Sequence, residues 1–88
     1  MDMSVLHDFA VLAERLNYAA AARELGMAQS TLSRHISDLE RELRATLFSR
    51  GAKLELTPCG RVLLEETGEF FATEERLVRR LAEAKRIA

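Results

Sequence analysis

The stretch GMAQSTLSRHISDLE at 26–40 concentrates side chains able to pair with the edges of nucleic-acid bases: Gln29, Ser30, Thr31, Ser33, Arg34 and Ser37. A glutamine amide can pair two ways with adenine, an arginine guanidinium two ways with guanine or singly with phosphate, and serine or threonine hydroxyls suit either. Laid on a helix at about 100° per residue, Leu32, Ile36, Leu39 and Leu43 share one face, the pattern of a core stripe. Ser30, Arg34, Ser37 and Arg41 point the other way. A helix divided like this buries its aliphatic side and offers hydroxyls and guanidiniums to a partner. Arg41 and Arg44 suit phosphates, or pairing within the helix, with Glu40 and Arg44 spaced as a favourable i, i+4 pair.

The segments before it must hold that helix in place. Ser4 is expected to cap a first helix in which Val5, Phe9, Leu12 and Leu16 share a face, ending near Asn17. Asn17 can cap a second helix over 18–25, YAAAAREL, whose alanines keep its surface thin so that another helix approaches closely. Gly26 is the expected left-handed terminator. Helix, glycine-containing turn and helix then follow within about 25 residues, which is a helix-turn-helix. In such a unit the second helix enters the DNA major groove, its N-terminal residues against base edges.

Beyond Leu43 the pattern changes to TLFSR, GAK and LELT, two short runs around a glycine, predicting a small β-hairpin wing. Thr57 and Pro58 then restart a helix, threonine as cap and proline at the first helical position. It can run to Ala88, about 46 Å at 1.5 Å per residue. Leu63, Phe70, Leu77 and Ala84 recur along it every seven residues, with Leu81 between the last two, while Phe71 and Val78 form an adjacent line. Two apolar lines need two partners. The first turns are expected to pack on the domain's own core, and the remainder on the same helix of a second copy. A single wide face folded onto an intramolecular core is the competing reading.

The totals agree with one helical domain. The 88 residues are 48% hydrophobic and 31% charged, with only four glycines and one proline, enough for one core and unlike a disordered chain. No apolar run is long enough to span a membrane, and the acidic start MDMSVLHDF lacks the features of a secretory signal. A lone cysteine, Cys59, points to a reducing, cytoplasmic setting. The formal charge of −1 is an average over unlike segments. From Arg15 to Arg61 there are eight Arg or Lys against five acids; 62–75 carries five glutamates and no base, and 76–88 five bases and one acid.

Other chemistry finds little footing. Cys59 reads as a small buried packing residue rather than a redox switch. His7 and His35 lack Cys or acid partners at ligand spacing, so neither a metal nor another cofactor is expected; surface or helix-boundary roles suffice for both. Tyr18, Phe9, Phe48, Phe70 and Phe71 read as core or interface rather than a base-stacking platform. No nucleophile with a base, phosphate loop or paired carboxylates suggests an enzyme. A helical protein-interaction module, with the last helix as a coiled-coil adaptor and no DNA binding, is the alternative from another class.

The run AAAARELGMAQSTLSRHISDLERELRATLFSR followed by LELTPCG resembles the N-terminal DNA-binding domain of LysR-type transcriptional regulators. The shared motifs are a small-residue second helix, a glutamine opening the reading helix, LSR, a leucine–glutamate core run, LF.R at the strand and LT..G at the last helix. They cover residues 3–65 and are specific in combination. The resemblance implies a mostly α, winged helix-turn-helix domain over 1–57 and a dimerising linker helix over 58–88. It implies bacterial gene regulation by a homodimer on an interrupted palindrome of double-stranded DNA. Gln29, Ser33 and Arg34 would contact the DNA, with Arg50 and Lys53 bringing the wing to the backbone or minor groove. Ala28 stands where the family often has a capping serine, Ser30 replaces a frequent proline, and Arg44-Ala45 replaces a glycine-containing step. Full members continue into an effector domain, so the chain is expected to be part of a longer regulator and to bind a small-molecule effector only through that C-terminal domain.

Overall fold

The computed structural model describes residues 1–87; Ala88, the expected last residue of the linker helix, lies outside the described residues. The order is α1 Met3–Arg15, α2 Tyr18–Leu25, α3 Gln29–Leu43, β1 Phe48–Arg50, β2 Leu54–Leu56 and α4 Pro58–Ile87. The mostly α winged helix-turn-helix expected from the patterning is therefore present.

Local chemistry accounts for the boundaries. Asp2, not Ser4, caps α1, its carboxylate accepting from the Val5 N–H at 3.1 Å and from the Ser4 hydroxyl at 2.6 Å. Those contacts, the Ser4 hydroxyl foremost, hold the Asp2 carboxyl below its ordinary range. The helix ends at Arg15 because Leu16 turns left-handed at φ 52° and Asn17 is already extended, accepting from Ala20 N–H at 2.8 Å as the cap of α2. Gly26, at φ 67°, terminates α2 as predicted, and Met27 N–H closes the turn onto the Ala22 carbonyl at 3.0 Å. Thr57 Oγ1 accepts from Gly60 N–H at 3.0 Å and so caps α4.

The core gathers one side of each helix. Phe9 and Leu12 of α1, Ala21 and Ala22 of α2, Leu32, Ile36 and Leu39 of α3, and Leu47 and Phe48 at the wing are buried in one cluster. Each large aliphatic or aromatic member contributes about 1.5–3 kcal/mol of burial. The rings of Phe9 and Phe48 lie 5.5 Å apart, tying the wing to α1. In the hairpin Phe48 pairs with Leu56, Ser49 with Glu55 and Arg50 with Leu54, so the apolar pair at one end joins the core and the tip projects.

Helix α4 enters against the domain and then leaves it. Gly60 is buried where a Cβ would fall on the Leu47 carbonyl oxygen and 2.8 Å from Leu56 Cδ2. Leu63, Leu64 and Thr67 continue the contact, the Thr67 hydroxyl buried without a hydrogen-bond partner among the described residues, and Phe71 meets His7 edge-on at 6.0 Å. From 72 to 87 every residue is exposed, and the molecule measures 55 × 26 × 20 Å along its axes.

Candidate nucleic-acid interface

Three anchors present α3. Its aliphatic face is sealed into the core, with Leu32, Ile36 and Leu39 at most 3% exposed. At its C-terminal end the Glu40 carboxylate accepts from the Leu47 and Phe48 N–H groups at 2.7 and 3.3 Å. Glu40 therefore fastens the wing to the helix instead of pairing with Arg44. The third anchor is a contact with α1, where His35 Nδ1 lies 2.8 Å from Asp8 Oδ2. His35 thus has an acidic partner 27 positions away, a contact that local spacing could not reveal.

On the outward side Gln29, the first residue of α3, is exposed, as are Ser30, Arg34 and Ser37, while Thr31 and Ser33 are half-buried on the flanks. Ala28 supplies no side-chain cap, as its methyl group dictates. Asp38 forms an ion pair with Arg41 at 3.1 Å rather than with Arg34, and this engages one of the two guanidiniums expected at phosphates. Arg44 is left-handed at φ 53°, filling the place of the glycine-containing step, and Ala45 N–H reaches back to the Glu40 carbonyl at 3.1 Å.

The wing joins this surface through a residue that sequence reasoning assigned to the core or an interface. Arg50, the last residue of β1, donates from its guanidinium to the half-buried Tyr18 hydroxyl at the start of α2. Lys53 is exposed in the hairpin connection. The structure thus brings together Tyr18 and Arg50, and lines Gln29, Ser30, Arg34 and Ser37 along open helix surface.

On α4, Leu63 is half-buried against the domain's own core, whereas Phe70, Leu77 and Leu81 are 55%, 56% and 52% exposed and Ala84 is open beside them. Cys59 is exposed, contrary to the buried role expected for it. Its position near the start of α4 turns it into an open apolar groove of about 410 Å³, formed with Leu43, Ala45, Leu47, Val62 and Leu63. Among the described residues, no group of three or more His, Cys, Asp or Glu side chains is placed to hold a metal ion, and no helix is long and apolar enough to cross a membrane.

Helix-turn-helix, hairpin wing and projecting helix define a winged helix-turn-helix protein. A family model described as bacterial regulatory helix-turn-helix protein, lysR family, matches residues 3–61, and the chain belongs to that family. It is 34% identical to the HTH-type transcriptional regulator XapR of Escherichia coli (strain K12) over 86 residues, 97% of this chain and 29% of that protein. With the HTH-type transcriptional regulator CatR of Pseudomonas putida it shares 45% over 67 residues, 76% of this chain and 23% of CatR. The chain thus spans less than a third of either relative. Among solved structures, the complex of BenM DBD with benA site 1 DNA is 28% identical and superposes with a TM-score of 0.90 over 96% of both chains. The CbnR DBD–DNA complex is 32% identical, with a TM-score of 0.87 over 96% of this chain and 98% of that one.

Proposed function

We propose that this chain is the DNA-binding part of a bacterial transcriptional regulator that reads double-stranded DNA as a homodimer. The observation that carries the reading is the division of α3, with three aliphatic residues sealed into the core and Gln29, Ser30, Arg34 and Ser37 open on the other side. In the major groove Gln29, Ser30, Thr31, Ser33, Arg34 and Ser37 face bases or the adjoining phosphates. Arg50 and Lys53 carry the wing to the backbone or minor groove. Two relatives of the same fold, BenM DBD and CbnR DBD, were solved in complexes with DNA, which supports the assignment.

Dimerisation uses α4, through Phe70, Leu77, Leu81 and Ala84, with Leu63 linking that line to the domain. Its exposed leucines and phenylalanine want cover. The glutamates of 62–75 and the bases of 76–87 attract one another when two such helices run antiparallel. Residues 1–57 are the reading unit and 58–88 the linker. The protein works in the cytoplasm and is not an enzyme; a small-molecule effector acts only through a C-terminal domain of a longer protein. Two reading helices related by two-fold symmetry call for half-sites about one helical turn apart, or a multiple of it.

Selection from a randomised duplex pool, with affinity of the selected sequences followed against salt, tests this. An inverted repeat with steep salt dependence is expected. Failure to enrich any sequence would sink the reading and favour the helical adaptor.

A further inference from the structure

The contact between His35 and Asp8 is the polar link from α1 to the base-facing half of α3. Asp8 is only 6% exposed, and among the described residues the His35 ring is the partner that holds its carboxylate, at 2.8 Å. A buried carboxylate that loses its partner is strongly penalised, so the pair resists any movement of α3 that parts it. The aliphatic contacts of Leu32, Ile36 and Leu39 act differently. They hold α3 against the core, but hydrophobic attraction has no direction and tolerates a small roll of the helix about its axis. A hydrogen bond does not tolerate it, because its strength falls steeply with angle and distance.

Roll matters on the opposite flank. His35 follows Arg34 in sequence, and Ser30, Ser33 and Ser37 lie about 140–160° round the helix from it at 100° per residue. A roll of about 15° carries a side-chain tip about 6 Å from the axis through about 1.5 Å, enough to lose a bidentate contact with a base edge. Among the described residues, nothing at the N-terminal end of α3 supplies a substitute, since Ala28 makes no side-chain cap; the Glu40 contacts with the Leu47 and Phe48 N–H groups restrain the C-terminal end instead.

We infer that Asp8 and His35 are positioning residues for base reading: the pair sets the roll of α3 and thereby the aim of Gln29, Ser33 and Arg34. This rests on the DNA-reading assignment above. The contact is directional, buried on one side and placed where it controls the base-facing row without touching it.

The test compares the whole chain with three variants on a selected duplex and on a scrambled one of equal length. Asp8→Asn keeps an acceptor for the Nδ1–H and should preserve the preference for the selected duplex within about twofold. His35→Leu strands the carboxylate and is expected to unfold partly, so the decisive variant is the double substitution Asp8→Leu with His35→Leu. Replacing both partners by apolar groups keeps the fold, checked by circular dichroism and melting. In the double variant the preference should fall about tenfold, the scale of one good base contact, while affinity for the scrambled duplex stays put. A folded double variant with wild-type preference overturns the inference, because the pair would then only stabilise. Loss of preference in Asp8→Asn equal to that of the double variant overturns it as well. A wild-type chain that prefers no duplex removes the DNA-reading assignment itself, and this inference with it.

Discussion

The guanidinium of Arg50 donates to the Tyr18 hydroxyl at 3.0 Å, and its central carbon lies 5.2 Å from the centre of that ring. The contact spans 32 positions and ties the end of β1 to the first turn of α2. It holds one cation of the wing in a fixed direction beside the helix-turn-helix, where an isolated arginine would sample many rotamers.

Replacing Arg50 and Lys53 together by alanine is expected to flatten the plot of log K against log salt. If each meets one phosphate the slope changes by about 1.8, at about 0.9 per contact. Tyr18→Phe keeps the ring and removes the hydroxyl, so it should weaken DNA binding by no more than about 1 kcal/mol. An unaltered salt slope in the double variant would count against a role for the wing on DNA.

Arg34→Ala should lower affinity for the selected duplex by about 1–3 kcal/mol and relax the preference at one base position. Gel-shift titration on matched and mutated duplexes reads both effects. Equal affinity on the matched duplex would place Arg34 among solvated helix charges.

Leu77→Asp puts a charge in the middle of the exposed line of α4 and should shift the chain from dimer to monomer in sedimentation. Affinity for a two-half-site duplex should then fall towards that for a single half-site. A variant that remains dimeric would move the interface elsewhere.

Arg44→Gly should raise stability by about 1 kcal/mol, because a left-handed residue with a Cβ costs about 1–2 kcal/mol and glycine restores part of that. Thermal melting followed by circular dichroism, at one protein concentration because dimerisation couples to stability, reads the change. An unchanged or lower midpoint would show that Arg44 carries a compensating contact.

Gly60→Ala should destabilise by about 1–3 kcal/mol, since the added methyl meets the Leu47 carbonyl oxygen and the Leu56 side chain. The backbone of the wing and the start of α4 would have to part. Urea unfolding with an unshifted midpoint would mean that this junction yields at little expense.

Much of this protein was legible in its sequence because the governing forces act between near neighbours. The period of Leu32, Ile36 and Leu39 specified both the helix and its buried face, and Asn17, Gly26 and Thr57 marked boundaries by the backbone groups that they cap or turn. The hairpin and the long α4 followed from alternation and from Thr57-Pro58. Even the bare start of α3 was visible in Ala28. Where two local options competed, proximity along the chain was not enough. Ser4 and Asp2 both suit a cap, and the carboxylate two residues earlier, accepting from the Val5 N–H and from Ser4 itself, took the role.

What tertiary structure alone decided are the contacts between distant segments. Asp8 with His35, Tyr18 with Arg50, and Glu40 with the backbone of Leu47 and Phe48 depend on how helices cross and where the hairpin lies. Cys59 facing an open groove depends on the angle at which α4 leaves the wing. Periodicity states which side of a helix is apolar, but not which neighbour covers it. Side-chain partners are chosen in three dimensions, by distance and direction between groups that the chain separates by 7 to 32 residues.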